Sequence, residues 1–110
     1  MLKEKVGVIG AGKIGSALIR GILQAGLVNK SQIMASEPRE KVRRALAKDH
    51  GVKVTGSNRE VTDFADLVIL AVKPQVVSPV LEDVGSVFRG KKLLVSVAAG
   101  IPLARLEACL

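Results

Sequence analysis

Gly10, Gly12 and Gly15 stand in the spacing G-x-G-x-x-G, within the segment Gly10-Ala11-Gly12-Lys13-Ile14-Gly15. Glycines so spaced leave backbone N–H groups bare at the opening of a helix, where the positive end of the helix dipole favours a diphosphate. Gly10 permits a tight turn, Gly12 keeps side-chain atoms out of the path of a pyrophosphate, and Gly15 lets helix and strand pack closely. An acidic residue about 20 positions beyond such a turn accepts hydrogen bonds from the adenine ribose hydroxyls of a dinucleotide, and Glu37 stands there. Arg39 and Lys41 lie beside it and suit a 2′-phosphate instead, with Ser36 as a hydroxyl donor. The pattern therefore fits NAD and NADP alike. The plain alternative for Glu37 is a first-turn carboxylate that stabilises its own helix, and for Arg39 and Lys41 a solvated helix face.

These residues need a frame. Val6 to Ile9 is a short apolar run between Lys5 and Gly10, the length of a strand buried on both faces. From Lys13 onward Ile14, Ala17, Leu18, Ile22 and Ala25 recur at helical spacing, with an end near Gly26. Gln32 to Ser36 reads as a second strand. Pro38 then falls in the first turn of a helix whose apolar stripe is Val42, Ala45 and Leu46 and whose stop is Gly51. His50, just before that glycine, suits a last-turn capping role. Val52 to Val54 is a weak third strand, Ser57 to Asp63 offers caps for a short helix, and Leu67 to Val72 is the most strand-like segment, ending at Lys73-Pro74. Val76 to Phe88 is helical in tendency, Leu93 to Val97 is another buried strand, and a small-residue turn at Ala98, Ala99 and Gly100 precedes the apolar pattern from Pro102 to Leu110.

Strands alternating with helices predict an α/β fold of the Rossmann-like kind: a doubly wound parallel sheet with helices on both faces and strand order 3-2-1-4-5. In such sheets a ligand binds beyond the carboxyl ends of the strands, where the order reverses. That places Val72, Lys73 and Pro74 at the crevice together with Ala98 and Ala99, whose small side chains leave room for a flat ring. Asn58, after the third strand, either reaches the adenine side or caps the next helix.

With 110 residues the chain is one domain, and its net charge of +7, 48% hydrophobic and 25% charged residues fit a folded cationic protein. Phe64 and Phe88 are the only aromatics, so the core is built from Val, Ile, Leu and Ala and base-stacking platforms are nearly absent. The basic residues are spread without a recognised nucleic-acid motif, so no nucleic-acid partner is expected. The single cysteine, Cys109, and the single histidine, His50, exclude an intrachain disulfide and a structural zinc site. Cys109 reads as a small apolar residue, not a nucleophile. Charged residues interrupt every apolar stretch before it reaches the length of a membrane span, and no secretory segment is legible, so a cytoplasmic protein without a membrane partner is expected. No metal site is expected, and no side chain is singled out as catalytic.

Four segments, Val6-Gly-Val-Ile-Gly-Ala-Gly12, Ile33-Met-Ala-Ser36, Leu70-Ala-Val-Lys-Pro-Gln75 and Val95-Ser-Val-Ala-Ala-Gly-Ile101, together resemble the amino-terminal NAD(P)-binding domain of pyrroline-5-carboxylate reductases. The resemblance covers essentially the whole chain. It implies NAD(P)H-dependent reduction of 1-pyrroline-5-carboxylate to proline, the last step of proline synthesis. It carries the family's cofactor contacts onto Gly10, Ala11, Gly12, Lys13, Ile14, Gly15, Ser36, Glu37, Arg39, Asn58, Ala71, Val72, Lys73, Pro74, Ala98 and Ala99. It also implies a homo-oligomer in the full-length form, and a helical carboxyl-terminal domain, which binds the substrate carboxylate and before which residues 1–110 are expected to stop. Glu37 departs from the pattern, since members that contact a 2′-phosphate often have a small hydroxyl residue there. Reduction of a C=N bond needs no activated nucleophile, because the nitrogen can be protonated before hydride reaches carbon. Two rival expectations are a stand-alone dinucleotide-binding module and the amino-terminal domain of another imine or 3-hydroxyacid dehydrogenase.

Overall fold

Short runs of Val, Ile and Leu become strands here because both of their faces are covered. The computed structural model describes residues 2–85, 87 and, by its backbone, the strand 93–96. The predicted helix end at Phe88, the turn holding Ala98 and Ala99, the pattern from Pro102 to Leu110 and Cys109 lie outside the described residues. In chain order the elements are β1 (Val6–Ile9), α1 (Lys13–Gln24), a 3₁₀ turn (Lys30–Gln32), β2 (Ile33–Ser36), α2 (Glu40–His50), β3 (Lys53–Thr55), α3 (Asn58–Phe64), β4 (Leu67–Leu70), α4 (Pro74–Val84) and β5 (Leu93–Ser96). The sheet is parallel throughout with the order β3-β2-β1-β4-β5, as the alternating pattern predicts. Ile9 pairs with both Ser36 and Leu70, so the carboxyl ends of the three central strands finish level.

Alternation along the strands divides the core in two. Val6, Val8, Ile33, Ala35 and Ile69 pack with Ile19 of α1 and Leu46 of α2, whereas Ile9, Met34, Val68 and Leu70 pack with Val61 of α3 and Val77 and Leu81 of α4. Gly7 faces α3 so closely that a Cβ there would lie 2.6 Å from Val61 Cγ1 and 2.8 Å from Ala65 Cβ. No helix among the described residues is long and apolar enough to cross a membrane.

Several local expectations need correction. The buried face of α1 carries Gly15 and Ile19, with Leu18, Ile22 and Leu23 half-buried beside it, while Ile14, Ala17 and Ala25 point outward. Backbone contact at Gly15 sets that rotation. Ala45 of α2 is exposed as well, and only Leu46 of that helix is fully buried. Pro38 precedes α2 instead of lying in its first turn, because Arg39 keeps an extended ψ of 117° and gives its N–H to the Glu37 carboxylate. β4 stops at Leu70, and α4 starts at Pro74, whose missing N–H costs nothing at a first helical position. β3 lies one residue later than Val52–Val54, since Thr55 pairs with Ser36 while Val52 is buried in the core.

Candidate functional site: a cleft at the carboxyl ends of the strands

The turn between β1 and α1 forms the floor of the site. Gly10 has φ +95° and donates its N–H to the Ser36 carbonyl at 2.9 Å. A Cβ at Gly10 would meet Val72 Cγ1 at 2.8 Å and the Ala71 carbonyl oxygen at 2.9 Å, and one at Gly15 would run into the Gly10 carbonyl oxygen. Folding alone therefore demands these two glycines. Gly12 is different: its φ of −73° and ψ of −158° suit any residue, and the nearest atom to a Cβ built there is Arg39 Nη2 at 3.8 Å. The space in front of Gly12 is open, and it faces the first turn of α1.

The wall at the end of β2 is built from Ser36 and Glu37, both buried. Glu37 Oε2 accepts from the Arg39 backbone N–H at 2.9 Å and from Arg39 Nε at 2.9 Å, while Oε1 accepts from Arg39 Nη2 at 3.1 Å. The Arg39 guanidinium holds the Glu37 carboxyl below its usual range against the opposing effect of burial, and the Ala11 backbone N–H lowers it further. Arg43, from α2, donates through Nη1 to the Glu37 carbonyl at 2.7 Å and the Pro38 carbonyl at 3.0 Å, which fastens the loop from the helix behind it.

Across the cleft Ser57 caps α3, accepting from the Glu60 N–H at 3.2 Å, so Asn58 is not the cap. Asn58 Oδ1 instead accepts from Ser36 Oγ at 2.6 Å, and its carbonyl accepts from Thr62 Oγ1 at 2.9 Å. Ala71, Val72, Lys73 and Pro74 form the far wall, with Val76 and Val80 of α4. The enclosed volume is about 690 Å³, which is in the range of small-molecule and cofactor sites. Bare backbone at a helix N-terminus, a polar end at β2 and an apolar end at α4 together fit a dinucleotide. Among the described residues no group of His, Cys, Asp and Glu could hold a metal.

Over residues 5–100 the sequence matches the family described as NADP oxidoreductase, coenzyme F420-dependent. The chain belongs to that family. Pyrroline-5-carboxylate reductase of Methanosarcina acetivorans is 41% identical over 110 residues, covering all of this chain and 41% of that protein. The structure of the Coxiella burnetii pyrroline-5-carboxylate reductase superposes with a TM-score of 0.93 at 25% identity, covering 99% of this chain and 40% of that one. The Plasmodium falciparum pyrroline carboxylate reductase with NADP bound gives a TM-score of 0.85 at 29% identity over 99% of this chain and 38% of that one. The resemblance carried by the four motif segments is thus borne out, and the chain spans about two fifths of the length of these relatives.

In this NADP oxidoreductase family member the cleft brings together Gly10, Gly12, Lys13, Ile14, Ser36, Glu37, Arg39, Asn58, Ala71, Val72, Lys73 and Pro74. Ala11 and Gly15 support the turn from beneath and are buried. Lys41 is exposed and does not line the cleft. Gly56, Pro38, Val76 and Val80 line it without having been singled out by sequence. A glycine just past a strand and an i, i+4 valine pair opening a helix were the available signals. His50 is the last residue of α2, ahead of Gly51 at φ +69°.

Proposed function

We propose that the chain is the cofactor-binding part of a pyrroline-5-carboxylate reductase, which reduces 1-pyrroline-5-carboxylate to proline with NADPH or NADH. The observation that carries the reading is the open backbone at Gly12, a glycine that the fold itself does not require. The names of the relatives supply the substrate.

The turn at Gly12 and the first N–H groups of α1 hold the diphosphate, with the helix dipole directed at it. Asn58, its Oδ1 already engaged by Ser36, offers its amide N–H groups toward the adenosine. Val72, Lys73 and Pro74 flank the ring end, and the apolar side chains of Ile14, Val76 and Val80 keep water from it. When bound, the reduced cofactor supplies hydride to the imine carbon. Binding of the substrate carboxylate and assembly into a homo-oligomer are assigned to the remainder of such reductases.

Calorimetric titration with NADPH and NADH, with Gly12→Val as control, tests this. Saturable binding is expected for the native chain, and a loss of at least about tenfold is expected for the variant, whose side chain occupies the diphosphate path. The variant keeps its fold, because only Arg39 Nη2 stands within 4 Å of the added Cβ. Failure of the native chain to bind either nucleotide, or undiminished binding by Gly12→Val, overturns the reading.

A further inference from the structure

We propose that the ring end of the cleft distinguishes the redox state of its cofactor, binding the neutral dihydronicotinamide more tightly than the nicotinamide cation, and that Lys73 sets this preference. The inference rests on the dinucleotide reading above. Removal of hydride from a reduced nicotinamide leaves a positively charged ring, so the two forms of one cofactor differ at this end by a unit charge.

The charges on the walls are unevenly matched. Lys13, Arg39 and Lys73 line the cleft against Glu37 alone, and Arg39 already holds Glu37 at the end of β2. At the other end Lys73 stands exposed between β4 and α4, and its side chain has no hydrogen-bond or ion-pair partner among the described residues. It occupies the N-cap position of α4 and caps nothing there. No carboxylate among the described residues lines this end of the cleft.

The helices repeat the imbalance. α2 and α3 carry Glu40 and Glu60 in their first turns, where a carboxylate offsets the positive end of the helix dipole. α1 and α4, which start after the central strands β1 and β4 and give Ile14 and Val76 to the cleft, carry no acidic residue there. At α1 the diphosphate supplies the missing negative charge. At α4 the ring brings none. An oxidised ring would therefore set its cation against the Lys73 ammonium and the positive end of α4, beside the apolar side chains of Val76 and Val80, where charges are screened less than in open water. The neutral ring meets no such repulsion. The reduced form is thereby favoured at the start of a reductive cycle, and the oxidised form is released at its end.

The test is calorimetric titration of two pairs, NADPH with NADP+ and NADH with NAD+, against the native chain, Lys73→Met, Lys73→Glu and Gly12→Val, with each variant's Tm measured to confirm folding. Members of a pair share every phosphate, so the ratio of their Kd values reads the ring alone. The native chain should hold the reduced member at least about fivefold more tightly in both pairs. Lys73→Met should cut that ratio at least about threefold through tighter binding of the oxidised members, and Lys73→Glu should bring it to one or below. A native ratio of one overturns the proposal, as does a ratio unchanged in both Lys73 variants or a preference confined to the phosphorylated pair. If the nucleotides bind without regard to redox state and Gly12→Val abolishes that binding, the dinucleotide reading stands and the redox preference falls. If no nucleotide binds the native chain, both fall together.

Discussion

Glu37 is ionised in a buried place because Arg39 surrounds it, and that dependence has a pH signature. Its carboxyl is lowered in the folded chain, so the pair adds stability that is complete above the ordinary glutamate value near about 4.3 and is lost as pH falls through the lower folded value. Between neutral pH and pH ~3 the Tm of the native chain should fall more steeply than that of Glu37→Gln, with the divergence confined to the acid end. Parallel Tm curves would show that the pair contributes nothing to folding. Sequence identified both residues, as rival readings of one site, but could not show that they bind each other. Arg39 has an extended backbone there, and Arg43 holds the carbonyls of Glu37 and Pro38 just before it. Ser36 was legible as a polar residue at a strand end. Its bond to Asn58 joins residues 22 positions apart and was not legible.

At the scale of elements, close approach of helix to strand rests on glycines with different legibility. Gly15 announced itself through its motif. Gly7 did not, since it sits inside an apolar run and reads as one more strand residue, yet α3 packs against it with no room for a methyl group. Gly7→Ala should cost about 1–3 kcal/mol by overpacking, measured by chemical denaturation. A cost within error of zero would mean that α3 shifts freely. The order of the strands and the places of β1, β2, β4 and β5 were legible because short, mostly apolar runs between turn residues leave few alternatives. The orientation of α1 was not, because Ile14, Leu18, Ile19, Ile22 and Leu23 spread over more than one face of the helix. A backbone contact that hydropathy does not register decides which of them are covered, and Ile14, 57% exposed, is left facing the cleft.

Over the whole molecule, the cleft exists because the chain leaves β1 in one direction toward β2 and β3 and returns on the other side to β4 and β5. Its walls come from turns after separate strands, so a bound dinucleotide ties those turns together and stabilises the folded state as a unit. NADPH at about a hundred times its Kd should add about 2.7 kcal/mol, which in a domain of this size raises Tm by about 10 °C. A thermal melt that does not move with NADPH, in a chain shown to be folded, would take the nucleotide out of this cleft. The sheet ends on one side at β3, three residues long, with Lys53 exposed and its ammonium 4.9 Å from the centre of the Phe64 ring. A brief edge guarded by a cation is a poor template for a foreign strand. From that side the domain resists growing into ordered aggregates even when it is crowded with copies of itself.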